Sequence, residues 1–391
     1  MIRNFKRTTA IAGIVAVSSA TLVACGDSDD DNNTTTTKSE TATSTSKETE
    51  TSSKSSEAAA AGDYELSGKT GELKGEGSSA QKNAVDYFAQ QYASQVKGAS
   101  LAYTASGSGD GVKNFIANQA AFAGSDSPLK DDEVQPAADR CGGNEAWHLP
   151  FVIGPVAIAY NLDGVDNLVV TPDLLAKIFR GDITNWNDPA IAEVNKDAKL
   201  PDQEIKVVYR SDSSGTSDNF QKFLNASTKG DWDASSGKQF PGVVGEGADK
   251  STGVANAVQT IPGAITYVEL GNAQQNGLGV AKLDLGNGAV ELNDESVGKA
   301  LDNLTFKTEG HNMVVDSKAL YEQDAAGVYP LVLTTYEIVC SAGYDDQTKG
   351  QVKDFLNVAL DSQDDTLSQL GYIPVKGKLA DQLREAIAAI N

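Results

Sequence analysis

The chain has 391 residues, 40% of them hydrophobic, which is enough for two domains with ordinary cores. Its 32 Lys and Arg stand against 54 Asp and Glu, a formal charge of −22. That balance argues against nucleic acid as a partner, and any bound anion must be held by local hydrogen bonds and dipoles, not by the overall field.

Arg3, Lys6 and Arg7 make a basic start, and residues 10–24 are apolar or small. Residues 1–24 therefore read as a secretory signal peptide, too short to favour a membrane span. The segment ends in Leu22-Val23-Ala24-Cys25, which resembles a bacterial lipobox, so Cys25 is expected to become the lipidated N-terminus and the anchor to the cell membrane. Residues 26–62 contain no Val, Ile, Leu, Phe, Tyr or Trp. They cannot bury enough apolar surface to fold, and with Cys25 form a tether reaching roughly 30–35 Å r.m.s..

Folded structure is expected from residue 63. Gly71–Gly77 reads as a short strand, followed by a helix with Val85, Phe88, Tyr92 and Val96 along one stripe. Leu101–Thr104 is the next strand, and Val112, Phe115 and Ile116 mark a short helix. Ala120–Gly124 is a buried strand ending at Asp126. This alternation predicts a parallel α/β sheet, in which ligands sit beyond the carboxyl ends of the strands. Gly77-Ser78-Ser79-Ala80, Ser106-Gly107-Ser108-Gly109-Asp110-Gly111 and Ala123-Gly124-Ser125-Asp126-Ser127-Pro128 all fall there.

In the second unit Thr171 caps a helix with Pro172 in its first turn and Leu174, Leu175, Ile178 and Phe179 inward, closing at Gly181. Glu204–Tyr209 is a strand leading into Arg210-Ser211-Asp212-Ser213-Ser214-Gly215-Thr216, then a helix carrying Phe220, Phe223 and Leu224. Residues 226–253, rich in Gly, Ser and charge, read as a long excursion. Ile261–Val268 is strand-like, residues 329–340 return to the first unit, and helices around Val352–Ala359 and Leu379–Ile390 finish the chain. Two crossings, near 154–160 and 328–334, predict a hinge, with lobe I over residues 63–155 and 333–391 and lobe II over 156–332.

The loop at 210–216 carries the chemistry. Strand, hydroxyl-rich turn and helix start aim backbone N–H groups and a positive dipole end at one spot. Ser214, Thr216 and the Gly215 amide can donate there, Arg210 adds a fork suited to an oxyanion, and Asp212 can hold that fork. Hydroxyl-rich helix starts at Ser79 and Ser108 repeat the device, while Asp126 is a lone acid among them. Cys141 and Cys340 begin and end two apolar runs. If those runs pair antiparallel, the sulfurs meet, and an exported protein permits the disulfide.

Taken in order, these stretches together with Ile178-Phe179-Arg180-Gly181-Asp182-Ile183-Thr184-Asn185-Trp186 resemble the phosphate-binding protein of the high-affinity phosphate ABC transporter, the PstS family, in its actinobacterial lipoprotein form. The resemblance covers about residues 70–390. It implies a two-lobed type II periplasmic-binding-protein fold with a hinge of two crossing strands. It implies inorganic phosphate held between the lobes, delivery to a membrane permease, no cofactor, and a monomer. By position, Ser79, the Ala80 N–H and Ser108 would bind from one lobe with Asp126 accepting from the ligand. Arg210, Ser214, Gly215 and Thr216 would bind from the other, Asp212 steering Arg210. The enteric Thr-Phe-Pro is replaced here by Ser79-Ala80-Gln81, which keeps a backbone donor and loses an apolar lid.

The alternatives are another oxyanion such as sulfate or molybdate, a surface antigen or adhesin, and a phosphate-ester hydrolase. Against the last, no Gly-x-Ser-x-Gly occurs, and neither His148 nor His311 adjoins a hydroxyl loop. The near P-loop at Gly68-Lys69-Thr70 fails because Asp63 stands where the first glycine belongs. No Cys/His metal spacing occurs either.

Overall fold

The computed structural model describes residues 64–233 and 237–391. The signal peptide, Cys25 and the whole of the tether to residue 62 lie outside them. The chain runs through β1 (Gly71–Gly77), α1 (Lys82–Gln95), β2 (Ala99–Thr104), α2 (Ser108–Ile116), β3 (Phe122–Ser125), α3 (Asp131–Arg140) and the long β4 (Ala146–Tyr160). The middle comprises β5 (Val169–Val170), α4 (Pro172–Arg180), α5 (Pro189–Val194), β6 (Lys206–Arg210), α6 (Gly215–Ser227), β7 (Glu246–Ala248), α7 (Lys250–Thr260), β8 (Ala264–Glu269) and α8 (Leu270–Gln275). Short pieces follow: β9 (Gly279–Val280), β10 (Lys282–Asp284), β11 (Ala289–Val290), α9 (Asp294–Leu301) and α10 (Ser317–Tyr321). The chain ends with β12 (Val332–Cys340), α11 (Asp346–Asp361), α12 (Asp365–Gln369) and α13 (Gly377–Ala389).

One sheet path organises these elements, in the order β2-β1-β3-β12-β4-β8-β6-β7. At one end β1, β2 and β3 are mutually parallel, as their alternation with helices predicts. At the other end β6, β7 and β8 are parallel as well. Between them β12 and β4 run antiparallel to their neighbours. β4 changes partner partway: residues up to Pro155 pair with β12, and those from Val156 onward pair with β8.

Each end has its own apolar packing. The α1 stripe of Val85, Phe88, Tyr92 and Val96 is buried, and the Phe122 ring stacks on Phe355 of α11 at 5.4 Å. At the other end Phe220 stacks on Tyr267 at 4.4 Å, with Phe179 and Phe240 packed against the same ring. Such ring pairs add about 0.5–1.5 kcal/mol each beyond the area they bury. Helix α4 begins as its residues dictate, with the Thr171 hydroxyl accepting from the Leu174 N–H at 3.2 Å. It stops at Gly181, whose φ of +85° a side chain would resist.

The excursion expected over residues 226–253 is corrected. Trp232 and Phe240 of that stretch are buried, its β7 pairs with β6, and α7 starts before it ends. The strand is only Glu246-Gly247-Ala248, a sequence without strand periodicity, so pairing with β6 and not local pattern makes it extended.

Antiparallel pairing of β4 with β12 sets Ala146 opposite Cys340, and the Cys141–Cys340 disulfide closes a sequence separation of 199. The chain-entropy model gives about 5 kcal/mol for such a loop, while bridges commonly deliver ~2–4. A Cys141→Ser variant is expected to lose roughly that amount in denaturant unfolding. Two alkylatable thiols in unreduced, unfolded parent protein would contradict the bridge in solution.

Candidate functional site

The carboxyl ends of both parallel triplets meet. Behind β1, β2 and β3 come the turns at residues 77–80, 105–109 and 125–127. Behind β6, β7 and β8 come residues 211–216, 249–251 and the end residue Glu269. The two sets touch directly. The Gly109 N–H donates to the Ser213 carbonyl at 3.0 Å, the Ser127 hydroxyl donates to Asp218 at 2.5 Å, and Asn219 Nδ2 donates to the Asp126 carbonyl at 2.6 Å.

Arg210, 3% exposed, ends β6. Its Nε and Nη2 donate to the two Asp212 oxygens at 2.7 and 2.6 Å, the two-pronged clamp that the sequence predicts. Burial alone raises the Asp212 carboxyl, but the Arg210 bonds and charge outweigh it and hold Asp212 below its ordinary value. Burial works against the guanidinium in the same way and is outweighed by Asp212, so Arg210 stays firmly charged. The remaining corner, Nη1, faces hydroxyls: Thr216 Oγ1 at 3.3 Å and Ser251 Oγ at 3.1 Å.

The first turn comes to the same place. Ser79 Oγ lies 3.0 Å from Ser251 Oγ and accepts from the Ser251 N–H at 3.1 Å. The Ala80 N–H donates to Ser78 Oγ at 3.1 Å in this conformation. Gly77 is required here: its φ is +146°, and a Cβ would lie 2.0 Å from the Gly124 carbonyl oxygen.

Asp126 sits beside this cluster, 3% exposed. Its Oδ2 accepts from Ser78 at 2.8 Å and Ser108 at 3.0 Å, and its Oδ1 accepts from Thr335 of β12 at 2.8 Å. Burial raises this carboxyl most, the nearby Glu269 charge adds to the rise, and the three hydroxyls pull it back, leaving it above its ordinary value. Gly215 opens α6 directly against the pair, and a Cβ there would meet Asp126 Oδ2 and Ser108 Oγ at 2.6 Å each. Ser214 caps α6, its oxygen accepting from the Ser217 N–H at 3.1 Å, which uses a lone pair and leaves the hydroxyl proton to be aimed. Thr216 spends its proton on Glu269 at 2.6 Å.

All eight expected binding residues, and Asp212 behind Arg210, therefore fall in one buried zone. The sequence reading missed Ser78, Ser251, Glu269 and Thr335. Ser251 had a signal: Asp249-Lys250-Ser251-Thr252-Gly253 precedes Val254, Ala255 and Val258 at helical spacing, the same hydroxyl-rich helix start as the others. Glu269 had none, because only strand pairing brings it here, and Thr335 had only its polarity inside an apolar run. His148 is structural: its Nε2 accepts from the Leu129 N–H at 3.0 Å and its Nδ1 pairs with Asn312 at 2.8 Å. Burial lowers it to about 4, so it stays neutral. Among the described residues, no group of three or more His, Cys, Asp or Glu is arranged to hold a metal.

A family model described as a PBP superfamily domain matches residues 36–363. The chain is 42% identical over 333 residues to phosphate-binding protein PstS 3 of Mycobacterium tuberculosis, covering 85% of this chain and 90% of that one. It is 41% identical over 335 residues to PstS 2 of the same organism, with the same coverage. Its fold is also that of a solved high-affinity periplasmic phosphate-binding protein, PfluDING, at TM-score 0.64 and 22% identity over 81% of this chain and 93% of the other. The phosphate-binding protein of Stenotrophomonas maltophilia gives TM-score 0.60 at 21% identity, over 81% and 94%. The two-lobed type II architecture is thus the fold. By the extent of the model match and the identity to its relatives, the chain belongs to the PstS family of phosphate-binding proteins within the PBP superfamily.

Proposed function

We propose that this protein captures inorganic phosphate outside the cytoplasm and hands it to the membrane permease of an ABC transporter. One observation carries the reading: the Arg210 guanidinium, fixed by Asp212, turns its third corner toward Thr216 and Ser251, and Ser79 from the other strand triplet meets Ser251, with Asp126 beside them. That set offers charge-assisted and neutral donors to an oxyanion and one acceptor to a protonated oxygen. Names of the relatives agree with it. Ser79, the Ala80 N–H and the Ser108 N–H would donate from lobe I, residues 63–155 and 333–391. Arg210, Ser214 and the Gly215 and Thr216 N–H groups would donate from lobe II, residues 156–332. β4 and β12 would be the hinge, since β4 changes partner at Pro155 and Val156. Opening there would separate Ser79 from Ser251 and Gly109 from Ser213, and admit the ligand.

Calorimetric titration with phosphate, repeated with sulfate as competitor, tests the function. Tight phosphate binding unaffected by excess sulfate is expected, and no heat with phosphate would end the reading. Cys25 would tether the protein as a monomeric lipoprotein, with residues 26–62 as spacer. Among the described residues no helix is long and apolar enough to cross a membrane. Cys25→Ser should move the protein out of the membrane fraction, and unchanged fractionation would refute the anchor.

A further inference from the structure

A second carboxyl lies behind Asp126. Glu337 stands two residues beyond Thr335 on β12, so both side chains leave the same face of the strand. Across the sheet it faces Gly124 of β3 and Leu149 of β4. Glu337 is 1% exposed, and its buried Oε2 receives no donor. Gln81, at the foot of α1, lies over that same Gly124, where a Cβ would meet its Nε2 at 2.2 Å, and is the polar side chain that acts on Glu337. The Gln81 Nε2 donates to the Tyr103 hydroxyl at 3.1 Å, which donates to the Ser78 carbonyl at 2.9 Å. Yet Gln81 Oε1 is also buried and also receives no donor.

Two buried acceptors without a donor, on side chains that act on one another, call for one proton. Turning the Gln81 amide over does not remove the deficit. Tyr103 has a single proton, and both the Ser78 carbonyl and the turned Oε1 would need it. A proton on Glu337 completes the chain Glu337–Gln81–Tyr103–Ser78, and Ser78 in turn holds Asp126.

We propose that Glu337 is a positioning residue of the site: carrying a proton, it fixes Gln81 and, through Tyr103, the Ser78–Ala80 turn from which the anion is bound. This rests on the phosphate reading above. The titratable groups facing Glu337 are Asp126 from β3 and Tyr103 from β2, while α1 and β4 present uncharged Gln81 and Leu149. Burial pushes Glu337 up to about 8, with Gln81 pulling back and the Asp126 charge adding to the rise. Burial likewise keeps Tyr103 protonated. The sign follows: the turn is intact below about 8 and loosens as pH rises through it, so affinity falls by about tenfold per pH unit above that point.

The test is calorimetric titration with inorganic phosphate from pH 6.5 to 10 on the parent and on Glu337→Gln, whose amide carries a donor at every pH. The ratio of the two affinities cancels the ligand's own titration. It is expected to be level below pH 8 and to turn against the parent above it; a ratio level throughout overturns the proposal. Infrared spectra of the parent give a second readout that needs neither phosphate nor a folded variant. A buried carboxylic-acid C=O band at pH 7 that disappears by pH 9.5 supports the protonated Glu337, and its absence at pH 7 overturns it. Failure of the parent to bind phosphate at any pH, with that band present, would instead fault the phosphate reading alone.

Discussion

Arg210→Ala is expected to lower phosphate affinity on the order of 10–150-fold, and Ser79→Ala by less than about tenfold. The difference follows from what each removes. A hydrogen bond to a charged group is worth about 1.5–3 kcal/mol and a neutral one about 0.5–1.5, and tenfold in affinity is about 1.4 kcal/mol. Ser79 is one of several hydroxyls in the cluster, whereas Arg210 is the cation whose free corner enters it. The variant also strands Asp212, whose side chain is 5% exposed, with Lys250 Nζ at 3.5 Å as its remaining cation. Breaking a buried pair on one side costs about 3–5 kcal/mol of stability, so reduced binding alone would be ambiguous. Arg210→Ala/Asp212→Asn resolves this, because it removes the stranded charge. Its melting temperature should recover while its phosphate affinity stays low. Asp212 supplies a further check of sign. A carboxyl held below its ordinary value stabilises the fold above the unfolded pKa, and that contribution disappears as pH falls through the folded one. The double variant should lack that part of the acid-side loss. Equal affinity losses in Arg210→Ala and Ser79→Ala would show that Arg210 does not meet the ligand.

How much of this could be read in the sequence depended on how local each determinant is. The parallel strands β1, β2 and β3 were legible because β1 and β2 each run into a helix with an apolar face, and the hydroxyl-rich turns lie at the junctions. The Arg210–Asp212 clamp was legible because both partners lie in one turn. Helix α7 was hidden because β7 has no period-two pattern and exists only by pairing with β6, so the Ser251 start had no visible strand before it. Thr335 and Glu337 lie in an apolar run that reads as a buried strand. Their side chains matter only because β12 lies beside β3, a neighbour more than 200 residues away in sequence. Polar residues inside such a run are the signal that remained unread: a buried strand carries Thr334, Thr335 and Glu337 only where something buried pairs with them.

Asp126→Asn is expected to erode the discrimination between phosphate and sulfate, which a site built around a ligand hydrogen bond can raise to ~10⁴–10⁵-fold. An ionised carboxylate beside an anion is repelled by it, and burial makes the cost worse. The arrangement is favourable only if the ligand brings a proton, as phosphate does near neutral pH and sulfate does not. The geometry sharpens this argument. Ser78, Ser108 and Thr335 each spend their single hydroxyl proton on Asp126, so none of the three can donate the same proton to an anion oxygen placed there. A ligand oxygen approaching Asp126 must therefore carry its own donor. The Asn variant replaces one acceptor oxygen by an NH₂ group, which can donate to sulfate and is not repelled by it. Sulfate affinity should rise measurably, while phosphate holds or weakens because its O–H loses the charged acceptor. The pH dependence separates this role from a structural one. Burial, with the Glu269 charge adding to it, holds Asp126 above its ordinary value, so acid protonates the parent and turns it into a donor. Sulfate binding to the parent should therefore strengthen as pH falls, whereas in Asp126→Asn that carboxyl's contribution to the pH dependence should vanish. Competition calorimetry with both anions at two pH values measures each quantity. If the variant excludes sulfate as fully as the parent, Asp126 is not the discriminator, and selectivity must come from the shape of the donor cluster around Arg210.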